Sequence, residues 1–207
     1  AVSVSAHKVK ALSSFRVIYG PIRASDIKMF IQSNYKTTPA MRKVSFSMAD
    51  RAKLIPNDFM LGSAKLLLIM AAFFFISGLD RTGFIFAKML KTSLFPLLNI
   101  GGAYFAGIVL APLFLTWVPF RAFALKGAVW AVLVIIILQL LFKVSSMETL
   151  AMGSLNISIA SYAAMNFTGS STFTSLSGVK KEMKYALPIQ ISFAIIGLIV
   201  FTISKLS

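Results

Sequence analysis

The chain has 207 residues, of which 57% are hydrophobic and only 13% charged, with a mean hydropathy of +0.83. Soluble domains carry about 25% charged residues, so this composition excludes an ordinary soluble domain and excludes disorder. The 21 Lys+Arg against 6 Asp+Glu leave a net charge of +15, and the positions of those charges decide between nucleic acid, anionic lipid and a membrane protein with positive loops.

The cysteine count is zero, so disulfides, Cys-ligated zinc, iron–sulfur clusters and a thiol nucleophile are absent from these residues. The chain opens on Ala1, and AVSVSAHKVKALSS lacks the uninterrupted apolar core of a signal peptide, so it reads as a truncated piece rather than a leader. His7 is the one histidine, and a lone His reads as a loop or surface residue rather than a metal ligand.

Residues 1–57 differ from the rest, with ten basic and two acidic side chains and few long apolar runs. FRVIY (15–19) has a strand pattern, Gly20-Pro21 punctuates it, and ASDIKMFI (24–31) reads as a helix starting near Ser25 or Asp26. Tyr35 to Ala40 is a loop. RKVSFSM (42–48) alternates like a strand, and Ala52–Ile55 is its expected partner before Pro56. Two or three strands in so short a segment cannot bury a parallel sheet. The head is therefore expected to be the C-terminal part of an α/β domain.

From residue 58 onward the chain is expected to cross a membrane five times. About 20 apolar residues are needed to span about 30 Å of hydrocarbon. The segments are Phe59–Leu79, Leu94–Val118, Ala122–Phe142, Met147–Phe167 and Tyr185–Ser204, with residues 82–91 as a short interfacial helix. The fourth is interrupted by Ser154, Asn156, Ser158, Ser161 and Asn166, which are expected to bond across helices. In the second, Gly102, Ala103, Ala106, Gly107 and Ala111 form a small-residue seam, and Pro96 and Pro112 bend its ends.

With the N-terminus inside, 16 of the 21 Lys+Arg fall on the inner side, counting Lys65 and Lys126 as snorkelling there. The expectation is a multi-pass protein of the inner (cytoplasmic) membrane, with head cytoplasmic and C-terminus outside. The charge is then mostly an orientation signal. Many of the 19 Phe lie in the spans rather than among basic residues, which argues against nucleic acid. No acidic or basic residue sits at an expected bilayer midplane, which weighs against an ion-coupled transporter.

Three stretches carry a family resemblance: residues 13–31 (SSFRVIYGPIRASDIKMFI), 46–65 (FSMADRAKLIPNDFMLGSAK) and 164–188 (AMNFTGSSTFTSLSGVKKEMKYALP), with WVPFRAFALKG (117–127) in support. In order and over essentially the whole chain, they resemble the corrinoid protein of microbial mercury methylation, related to the large subunit of the corrinoid iron–sulfur protein of acetyl-CoA synthesis. The resemblance implies a cytoplasmic cobalamin-binding α/β domain followed by five spans. It implies methyl transfer to inorganic mercury(II) giving methylmercury, with a ferredoxin-like iron–sulfur protein as reductant.

The family's cobalt-ligating cysteine, in a cap helix, has no counterpart in this cysteine-free sequence, so these residues are expected to be catalytically incompetent alone. Ligands of open α/β sheets sit at the carboxyl ends of strands. Tyr19, Gly20, Pro21 and Arg23 are accordingly the expected cofactor contacts, Gly20 for close approach and Arg23 for a phosphate. The inner loop from Thr168 to Lys184, through Lys180, Lys181 and Lys184, is expected with Arg121 to face the cobalamin domain or the reductant. The alternative is a membrane transport or anchoring subunit with no catalysis of its own.

Overall fold

A computed structural model describes residues 5–42, 47–167 and 176–206, and it is mainly helical. It divides into two compact units, Ala1–Ser45 and Phe46–Ser207. The division falls earlier than the 57/58 boundary expected from composition. Ser47 starts helix α3 (Met48–Ala52) with a reciprocal cap: its hydroxyl accepts the Asp50 N–H, and the Asp50 carboxylate accepts the Ser47 N–H. Arg51 of the same helix donates to the carbonyls of Pro112 and Leu113, which holds α3 in the second unit.

In the first unit, α1 (Ala6–Ser13) ends at Ser14 in the left-handed region, and a 3₁₀ turn (Ala24–Asp26) leads into α2 (Ile27–Gln32). Its small core is Phe30 and Met41, with the Tyr35 ring edge-on to Phe30 at 5.6 Å. The helix expected over 24–31 is present. The strand expected over 15–19 is not formed; these residues are irregular. A strand needs a neighbour for its N–H and C=O groups, and Phe15, Ile18 and Tyr19 are exposed, so the alternation buries nothing. Of the strand expected over 42–48, residues 43–46 lie outside the described residues and Met48 is already helical. Ala52–Ile55 forms helix and turn rather than a strand, because Pro56 sits in the first turn of the next helix, where its missing N–H costs nothing.

The second unit begins with α3 and α4 (Ile55–Ile76), then a hairpin of β1 (Leu79–Asp80) and β2 (Gly83–Phe84), antiparallel with Leu79 opposite Phe84. Helix α5 (Phe86–Thr92) replaces the later part of the short helix expected over 82–91; Gly83, at φ 122°, gives the earlier part to the hairpin. Next come α6 (Leu94–Phe105), a π turn (Ala106–Leu110) and α7 (Ala111–Leu113) as one continuous run. Pro112 has no N–H for the Ile108 carbonyl, and the expected bend there takes the form of this π turn, a short local rewinding. The run stops at Leu113 instead of Val118. Helices α8 (Phe123–Phe142), α9 (Ser146–Asn166) and α10 (Leu176–Leu206) complete the unit. Helix α10 starts nine residues before the expected Tyr185, at Leu176.

Among the described residues, four helical runs are long and apolar enough to cross a membrane: Met48–Ile76, Leu94–Leu113, Phe123–Phe142 and Ser177–Leu206. The protein is thus a mainly α, multi-pass membrane type. Leucines 67 and 68 on α4 and isoleucines 195 and 199 on α10 are exposed, as lipid-facing side chains are. Helix α9 has 21 residues but its serines and asparagines make it less apolar. It is nonetheless the packing centre, flanked by α6, α8 and α10, with Ala151, Met152, Ala160 and Ala164 fully buried.

The expected cross-helix bonds are largely present. The Asn156 side-chain amide donates to Asn99 Oδ1 at 2.9 Å, and Asn99 in turn donates to the Phe95 carbonyl. The Ser158 hydroxyl donates to the Gln190 carbonyl, and the Gln190 amide donates to Ser161 Oγ, both at 2.8 Å. Ser154 departs from the expectation: its hydroxyl donates back to Leu150 of its own helix.

Candidate functional site

One set of polar groups of the second unit gathers where α4, α8 and α10 begin and α7 ends. A helix leaves its last carbonyls without intrahelical donors, at the negative end of its dipole. Arg51, 7% exposed, donates from one guanidinium nitrogen to Pro112 and Leu113 at 2.9 and 2.8 Å. Lys126, equally buried, donates to the Leu115 carbonyl and to that of Val118 at 3.1 Å. Two cations thus stabilise the turn that follows the broken helix. Glu182 of α10 does the reverse for α8: its carboxylate accepts the Ala124 N–H at 2.7 Å, an orphan donor at a helix start.

At the same end, α4, the α6 run and α9 enclose a cavity of about 440 Å³, within the range of small-molecule sites. Its walls are apolar, with Leu66, Ile69, Ile100, Ile108 and Ile159 among them. Positions 58, 62, 65 and 69 of α4 all line it, the spacing of one helix face. Tyr104 lies across Gly62, and its hydroxyl donates to the Phe59 carbonyl at 3.1 Å. The polar members are Asn57, Asp58, Lys65, Tyr104, Tyr162 and Asn166. Apolar walls with one acid and one base can hold and orient a dipolar ligand.

The residues expected from the sequence are distributed differently. Tyr19 is 61% exposed, and its hydroxyl accepts the Ala6 N–H at 3.2 Å. Gly20 faces the Phe30 ring, Pro21 is half-buried, and Arg23 is exposed just before the 3₁₀ turn. These four share one stretch of chain, but no strand ends there. The sheet edge expected to present residues 19–23 to a cofactor is therefore not formed among the described residues of the head.

Lys180, Lys181 and Lys184 are exposed on the first turns of α10, a helix and not the expected loop; residues 168–175 of that loop lie outside the described residues. Arg121 is exposed just before α8. The Glu182 bond to Ala124 sets the starts of α8 and α10 side by side, so all four basic residues belong to one end of the bundle. His7 sits on α1, and no group of three metal-ligating side chains occurs among the described residues.

Asp58, Tyr104 and Tyr162 were not singled out by sequence reasoning. The available signal was Asp58, one of only six acidic residues, seven positions before Lys65 on the same face of a span. No protein-family model, no curated protein and no solved structure matches the chain.

Proposed function

We propose that the chain is the membrane-anchored portion of a corrinoid-dependent protein that passes a methyl group to inorganic mercury(II), giving methylmercury. The observation that carries this reading is the stretch 164–188, with its Asn-Phe-Thr-Gly and Ser-Leu-Ser-Gly-Val segments, in a chain with several apolar helices. Within it, α9 is a fifth span, sheltered from lipid by its neighbours, and the Lys/Arg bias puts the head inside and the C-terminus outside. The sequence has no cysteine, and no strand ends at residues 19–23. These residues therefore supply anchorage and orientation, while cobalt ligation is not theirs. The exposed basic side chains at the starts of α8 and α10, Arg121, Lys180, Lys181 and Lys184, suit an acidic protein such as a ferredoxin-like reductant.

The test is deletion and restoration of the gene in its native host, fed isotopically enriched mercury(II). The deletion strain is expected to form no enriched methylmercury and the restored strain to form it. Equal methylmercury from the deletion strain contradicts the reading. A membrane transport subunit is the second reading, favoured by the cavity with Asp58 and Lys65. That reading gains if deletion lowers cellular uptake of mercury or of a corrinoid while broken cells still methylate at the parental rate.

A further inference from the structure

Asp58 and Lys65 line the same cavity, and among the described residues neither the carboxylate nor the ammonium has an ion-pair or side-chain hydrogen-bond partner. They stand seven residues apart on one helix face, about 10 Å along the axis. Lys65 is exposed, and a lysine this near a helix end carries its ammonium back to the headgroup level, where lipid phosphates lie. The polarity of the cavity is ordered along α4. Asn57 and Asp58 lie in its first turn, Lys65 two turns deeper, and Leu66 and Ile69 deeper still. A phospholipid with an ethanolamine headgroup has that same order from water inward: ammonium, phosphate, acyl chain.

We propose that this cavity binds one phosphatidylethanolamine molecule of the adjacent leaflet. Its phosphate pairs with Lys65, its ammonium with Asp58, and the upper part of an acyl chain lies against Leu66 and Ile69. The amide oxygens of Asn57 and Asn166 accept from the remaining ammonium donors. A choline headgroup has no N–H to give to Asp58. A glycerol headgroup satisfies Lys65 through its phosphate but offers Asp58 only neutral hydroxyls in place of an ammonium. The binding is read without mercury or cofactor, so it stands or falls separately from the methyl-transfer reading.

The test is native mass spectrometry of the full chain released from nanodiscs of equal phosphatidylethanolamine, phosphatidylcholine and phosphatidylglycerol. One phosphatidylethanolamine is expected to stay bound under activation that strips the other two. Asp58→Asn and Lys65→Gln are each expected to cut its retention at least tenfold. Equal retention of the three lipids, preference for phosphatidylglycerol, or wild-type retention in both variants overturns the proposal. Should either variant fail to fold, Leu61→Trp fills the mouth from an exposed position. That variant is expected to lose the lipid while melting like the parent in lipid-free micelles, and retention there overturns the proposal too.

Discussion

Arg51 and Lys126 are buried cations that meet backbone carbonyls rather than carboxylates. Removing Arg51 strands the buried Pro112 oxygen and takes the donor from the part-buried Leu113 oxygen. Arg51→Ala is therefore expected to destabilise the fold by about 3 kcal/mol, measured by denaturant unfolding in micelles. Gly127 offers a steric counterpart. A methyl group there meets the backbone of Ala160 at well under van der Waals distance, with the Ala160 carbonyl carbon at 2.8 Å. Gly101 has open space. Gly127→Ala is expected to cost about 1–3 kcal/mol, because α8 must retreat from α9. Gly101→Ala is expected to be neutral or to stabilise by up to about 1 kcal/mol, through helix propensity alone. Equal melting temperatures for the two variants would show that α8 and α9 do not touch there.

Among the elements, α9 concentrates what the sequence made legible and what it hid. Asn156, Ser158 and Ser161 read correctly as cross-helix partners, because polar groups among apolar helices find donors or acceptors on neighbouring helices, whereas Ser154 bonds within its own helix and Asn166 lines the cavity. Which partner each would take was not legible: Asn99 and Gln190 are isolated amides in α6 and α10, and only packing brings them to Asn156 and Ser161. A double-mutant cycle with Asn99→Leu and Asn156→Leu is expected to give a coupling of about 0.5–1.5 kcal/mol; zero coupling would remove this bond from the account.

The hairpin was missed because two-residue strands leave almost no alternation to read. It is held by ionic contacts instead: Lys88 pairs with Asp80 at 2.7 Å, and Arg81 donates to the Leu206 carbonyl at 2.9 Å. The Lys88 hydrogen bond, then that of Thr82, keeps the Asp80 carboxyl below its ordinary range. The folded state thus favours the charged form. Its contribution is complete above about pH 4 and is lost as pH falls through the lowered folded value. Melting temperature between pH 6 and pH 3 is expected to fall less steeply in Asp80→Asn than in the parent; parallel curves would contradict the pairing.

Across the whole molecule, composition located the apolar helices well, since hydrocarbon thickness sets their length and leaves a long apolar run in the sequence. The head was read less well. Alternation over 15–19 signals a strand only when a neighbouring strand exists, and among the described residues it has none. The cavity was illegible because three helices distant in sequence build it, and no segment alone carries its pattern. The basic residues of α10 were read as a loop since glycine and serine precede them, whereas the helix continues through Lys180 to Lys184.

The number and direction of the spans hold the proposed account together, because they decide whether the head and the basic end share the inner side. The absence of cysteine in this sequence allows single cysteines to be introduced without background. Membrane-impermeant thiol labelling of intact cells carrying Ser14→Cys, Thr82→Cys, Arg121→Cys, Ser145→Cys or Lys180→Cys reads each position directly. Five spans with the head inside predict labelling at residues 82 and 145 and none at 14, 121 and 180 until the cells are opened. Labelling of residues 145 and 180 from the same side would mean that α9 does not cross, and labelling of residue 14 in intact cells would place the head outside.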